Sequence, residues 1–101
     1  MLKLGIIGWR GMVGQVLMER LVQENDLKNF ETYFFSTSNT GAESPFQNII
    51  GGSANLLKDA HSIDALKEMD VILSCQGGDY TNKIHPELRK NGFKGYWIDA
   101  A

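Results

Sequence analysis

GIIGWRGMVG, residues 5–14, decides the fold of this 101-residue chain. Gly8, Gly11 and Gly14 recur every three residues, a departure from the G-x-G-x-x-G spacing of a dinucleotide turn. Ahead of them LKLGII, residues 2–7, reads as a short buried strand. Beyond Gly11 the pattern turns helical: Val13, Val16, Leu17 and Leu21 share one face, while Gln15, Glu19 and Gln23 lie away from it. Strand, glycine turn and helix together make a weak motif informative. Gly8 permits the tight turn, and Gly11 lets backbone N–H groups approach a pyrophosphate at the positive end of the helix. Gly14 lets the helix lie close on the strand. The same glycines serve packing alone in an ordinary strand-to-helix turn.

Working outward, the first helix should stop near Asn25, and Thr32–Phe35 is aromatic and β-branched, as strands prefer. STSNTGAESPFQNIIGGSANLL, residues 36–57, reads as a long loop with room for a short strand near Asn55–Leu57. Ser62 is placed to cap a helix over residues 63–69. DVILSC, residues 70–75, is a continuous apolar strand of the kind buried in a parallel sheet. After Gly77-Gly78, Asp79 can cap a helix to about Lys90, which Pro86 should kink or divide. Asn91-Gly92 is a helix stop, and GYWIDA, residues 95–100, is the last strand.

Alternating strands and helices give an α/β fold, a doubly wound parallel sheet with right-handed crossovers. Residues 1–101 read as one domain. The sequence stops at Asp99-Ala100-Ala101, where a parallel strand should feed a ligand-binding loop. The expectation is a truncated sheet, the front piece of a longer enzyme.

Composition narrows the class. The chain is 43% hydrophobic and 22% charged with net charge −2, which gives no basic footprint for nucleic acid. No apolar run approaches the roughly 18 residues of a membrane span. Cys75 is the single cysteine, and His61 and His85 stand far apart, so neither a disulfide nor a metal-ligand spacing is present. A reducing, cytoplasmic setting follows, with no membrane or nucleic-acid partner.

The second strand bears on which cofactor fits. NAD-binding folds commonly hold the ribose 2′-hydroxyl with an acid about 20 residues beyond the glycine loop. Here Ser36-Thr37-Ser38 offers hydroxyls instead. A 2′-phosphate accepts bonds from hydroxyls and from a guanidinium, and Arg10 lies in the glycine loop. The arginine thus favours NADP over NAD, or else it is a solvated surface residue. SCQGGDYTN, residues 74–82, follows the strand expected beside the first. Gln76 there could bond the cofactor, or be a loop glutamine in water. Cys75 ends an apolar strand without a neighbouring histidine, which suits a buried, inert thiol.

GWRGMVGQVLMERLVQE, FFSTSNTG, SCQGGDYTN and GYWIDAA, in that order and spacing, closely resemble the aspartate-semialdehyde dehydrogenases of proteobacterial type. The resemblance runs the length of the chain and is weakest over Glu43–Asn55. It implies the NADP-binding, Rossmann-like portion of an enzyme that makes L-aspartate 4-semialdehyde from 4-aspartyl phosphate with NADPH. That step leads to lysine, diaminopimelate, threonine, methionine and isoleucine. It also implies that Gly8, Arg10, Gly11, Met12 and Val13 form the phosphate loop, Thr37 and Ser38 the 2′-phosphate contacts, and Gln76 a further cofactor contact. Enzymes of this kind are homodimers or tetramers acting on a small-molecule substrate. Their nucleophilic cysteine, histidine and substrate-binding arginines match nothing within these 101 residues. N-acetyl-glutamyl-phosphate reductase, which shares the architecture, and a free-standing nucleotide-sensing module are the alternatives.

Overall fold

A computed structural model describes residues 2–9, 11–24, 30–37 and 57–100, without the side chains of Val13 and Val22. Arg10 and residues 38–56 of the expected loop over 36–57, Ser38 among them, lie outside the described residues, as does Asn25 at the expected helix end.

Five strands form one sheet. They are β1 (Leu2–Ile7), β2 (Phe30–Ser36), β3 (Lys58–Asp59), β4 (Val71–Ser74) and β5 (Tyr96–Asp99), in the order β3-β2-β1-β4-β5 with every pairing parallel. Helices α1 (Met12–Gln23), α2 (Ile63–Leu66) and α3 (Gly78–Lys90) make the connections. The expected doubly wound sheet is present, with β4 beside β1 as anticipated. Strand order reverses between β1 and β4, so the crevice outside their carboxyl ends is the switch point at which such sheets bind ligands.

Side-chain alternation along the strands builds a core on each face. Leu4 and Ile6 of β1 join Phe34, Trp9, Met18 and Leu57 on the side of α1. Ile7 joins Phe35, Leu66, Ile72, Ile84 and Leu88 on the side of α2 and α3. Burial on both faces explains why LKLGII and VILS are nearly continuous apolar runs.

The inner face of α1 differs from the sequence expectation. Gly14 and Met18 are buried, Leu17 and Leu21 are half-buried, and Val16 is 59% exposed. The helix settles on its glycine, which a count of apolar side chains passes over.

Ser62 caps α2 as expected, accepting the Ala65 N–H, but the helix ends at Leu66, short of residue 69. The short strand falls at Lys58–Asp59, just beyond residues 55–57, and pairs with Phe35 and Ser36.

Two expectations about α3 are corrected. Gly77, not Asp79, is the cap, because its φ of +110° suits glycine and starts the helix two residues early. Asp79 then sits in the first turn, where its charge complements the helix dipole. Pro86 lies inside one continuous helix rather than dividing it. Pro86 and Asn82, whose carbonyl loses the usual partner four residues on, are both exposed, so that carbonyl is open to water. Asn91-Gly92 ends the helix as predicted, with Gly92 at φ +96°.

Candidate functional site

The carboxyl end of β1 runs directly into the glycine turn. Gly8 takes φ +78°, and a β-carbon there would lie 2.6 Å from both Cys75 C and Gln76 N. The turn therefore needs glycine twice over, for its conformation and for its contact with the chain leaving β4. The Cys75 N–H donates to the Ile7 carbonyl at 2.8 Å, which locks the two strand ends together.

Trp9 stands between Gly8 and Arg10 in the sequence. It is buried beneath the turn, edge-on to Phe34 with ring centroids 5.9 Å apart. An aromatic residue inside a glycine turn was the available signal that the turn has its own anchor.

Gly11 contrasts with Gly8. Its carbonyl accepts the Gln15 N–H at 2.8 Å and so opens α1, yet a β-carbon on Gly11 would meet only Gly8 O, at 3.8 Å. Packing within the described residues places no demand for glycine there. The first turn of α1 carries no acidic residue, so the positive end of its dipole is not offset by a local carboxylate.

Gly8, Trp9, Gly11, Phe35, Ser36, Thr37, Cys75 and Gln76 enclose a crevice of about 260 Å³. Of the residues singled out from sequence, the structure brings Gly8, Gly11, Thr37 and Gln76 together on it. Met12 begins α1 and is 86% exposed, lining instead an apolar groove with Val16, Leu17, Arg20 and Ala100. Val13 lies in the first turn of α1. Arg10 and Ser38 lie outside the described residues. The hydroxyl-bearing residues after Phe35 are unequal: Ser36 is buried in β2 and its carbonyl accepts the Ala60 N–H at 2.9 Å, whereas Thr37 is exposed.

Cys75 lines the crevice but is buried, and burial, reinforced by the Asp99 charge, pushes its thiol above the ordinary range. A thiol so placed is a poor nucleophile. No group of metal-ligating side chains occurs among the described residues, and none of their helices is long and apolar enough to cross a membrane.

The geometry fits a phosphate-bearing ligand: a tight glycine turn, a helix N-terminus without a local acid, and a second glycine with open space at its Cα. These features define the class of doubly wound α/β domains with a glycine turn at the switch point. The chain belongs to the family described as "Semialdehyde dehydrogenase, NAD binding domain", whose pattern matches residues 3–101. Among solved structures, aspartate semialdehyde dehydrogenase from Francisella tularensis is 50% identical with a TM-score of 0.88, covering 98% of this chain and 26% of its own. Aspartate semialdehyde dehydrogenase II from Vibrio cholerae, solved complexed with ASA, is 21% identical with a TM-score of 0.69, over 97% of this chain and 27% of its own. A nucleoside-diphosphate-sugar epimerase from Agrobacterium tumefaciens is likewise 21% identical, with a TM-score of 0.60, over 97% of this chain and 36% of its own. The last two show likeness of fold. The chain thus spans about a quarter of the length of the dehydrogenase structures it matches.

Proposed function

We propose that residues 1–101 are the NADP-binding portion of an aspartate-semialdehyde dehydrogenase. The complete enzyme would reductively dephosphorylate 4-aspartyl phosphate to L-aspartate 4-semialdehyde in the cytoplasm, as a homodimer or tetramer. The observation that carries this reading is the convergence of Gly8, Gly11, Thr37 and Gln76 on one crevice at the switch point. The 50% identity to the Francisella dehydrogenase supports it.

In this reading Gly8 shapes the turn, and Gly11, Met12 and Val13 present backbone N–H groups to the pyrophosphate. Arg10, Thr37 and Ser38 receive the 2′-phosphate, and Gln76 bonds the cofactor from the far side of the switch point. NADPH, when bound, supplies the hydride. This chain's own residues bind and orient it, with Cys75 kept buried as a wall of the crevice rather than a reactant.

Titration of NADP and NAD against the chain tests the assignment. A charge-assisted bond to phosphate contributes about 1.5–3 kcal/mol, or roughly one to two decades of affinity. NADP should bind more tightly by up to that factor, and Arg10→Ala should remove most of the difference along with its salt dependence. Equal affinities, or a preference for NAD, would refute the assignment.

A further inference from the structure

A second groove, of about 430 Å³, continues from the crevice. Thr37 and Gln76 line both, and His61, Asp79, Tyr80 and Lys83 complete it. Its walls are held from within. Tyr80 is buried and its hydroxyl donates to the Ala60 carbonyl. The His61 backbone N–H donates to Asp59 Oδ1 at 2.9 Å, its Nδ1 lies 3.6 Å from the same oxygen, and its ring meets Tyr80 edge-on at 6.2 Å.

The groove's position relates it to one end of a dinucleotide. In doubly wound sheets the adenosine ribose is held at the end of the second strand. Thr37 stands just beyond that end here, so a groove running from Thr37 towards α3 lies on the adenosine side. Its charges are Lys83 and Asp79, one helical turn apart on α3, with the His61 imidazole across from them. Among the described residues no ion pair engages Lys83, whereas Lys67 pairs with Asp64 at 3.5 Å and Lys58 sits over the Tyr33 ring at 5.3 Å. Lys83 is exposed on the wall of a ligand-sized groove, with its ammonium uncommitted among the described residues.

We propose that this groove receives the 2′-phosphorylated adenosine end of the dinucleotide, with Lys83 a selectivity-determining cation and Asp79 the carboxylate that limits its effect. The proposal rests on the dinucleotide-binding reading above and adds contacts on α3 to those of the glycine loop and β2.

Calorimetric titration of the full chain with adenosine 2′,5′-bisphosphate and with AMP tests it. Lys83→Met should weaken the bisphosphate by about two- to fivefold, the range of an exposed charge pair, and leave AMP nearly unchanged. Asp79→Asn should strengthen the bisphosphate by a similar factor. Both differences should shrink in about 0.5 M salt, where the screening length falls to a few ångströms. Both side chains are exposed, and an unchanged circular dichroism spectrum confirms that the variants fold. Shifts that are absent, or that affect the two nucleotides equally, overturn the role of α3 while leaving dinucleotide binding in place. An unaltered chain that binds neither nucleotide overturns both.

Discussion

Gly14 lies so close to the carbonyl of Gly8 that a β-carbon there would overlap its oxygen, and would come within 2.6 Å of Trp9 Cα. Both obstacles are backbone atoms, so no rotamer change relieves them. Gly14→Ala must push α1 off the end of β1, and should destabilise the fold by about 3 kcal/mol or more. Gly11→Ala, at a cap position with open space, should cost no more than about 1 kcal/mol. Thermal melting of the two variants gives the comparison. A Gly14→Ala protein as stable as the unaltered chain would mean that the close approach is absent in solution.

Acid should loosen the junction of α3 and β5. His85 stacks on Trp97 at 4.9 Å and 13°, and accepts a hydrogen bond from Arg89 Nε at 2.9 Å. Arg89 also donates to the Phe93 and Gly95 carbonyls, which pins the connection into β5. Burial, and then the Arg89 charge, hold His85 below the ordinary histidine range. The unfolded chain therefore binds this proton more readily than the folded one. The stabilisation is complete above the unfolded value of about 6.5 and is lost as pH falls from there to the lowered folded value. Melting temperature should fall across that window, together with a change in tryptophan emission as the imidazole beside Trp97 charges. His85→Gln should flatten this component, and an unchanged pH profile in that variant would exclude His85 as its source.

The chain of 101 residues should not turn over aspartate semialdehyde. Thioester formation needs a thiolate beside a general base and donors for the developing oxyanion. Cys75 is the only cysteine, and its burial raises rather than lowers its pKa. A disulfide reagent should label it far more slowly at neutral pH than in denaturant. With NADP, phosphate and the semialdehyde supplied, no reduced nicotinamide should form. Turnover that vanished in Cys75→Ala would place the nucleophile here after all.

The sheet was legible because glycines punctuate it. Gly8, Gly77 and Gly92 take positive φ at boundaries that the sequence marks openly, and β1 and β4 are apolar because both their faces are covered. Less legible was whatever depends on a missing side chain or on solvent. Gly14 sets which face of α1 is inward, although glycine carries no hydrophobic signal. Pro86 stays helical because it faces water, a matter of helix phase that the residue alone does not declare. β3 has only two residues, too few for any period. In the site, the glycine turn, Thr37 and Gln76 could be placed from sequence. The groove with His61, Asp79 and Lys83 could not, since it exists only once the turn after β3 meets Tyr80 of α3.

The central position of β1 also governs the order in which the chain can fold. Leu2 pairs with Phe30 and Leu4 with Val71, so β1 has no partner among the residues that immediately follow it. Parallel pairing rules out a hairpin to shelter it, and loop-closure entropy must be met before either ladder forms. During synthesis β1 waits for β2, and then across most of the chain for β4, with Ile6 and Ile7 unburied until both faces close. Slow synthesis or chaperone capture of the unpaired β1 would therefore bear directly on the yield of folded protein.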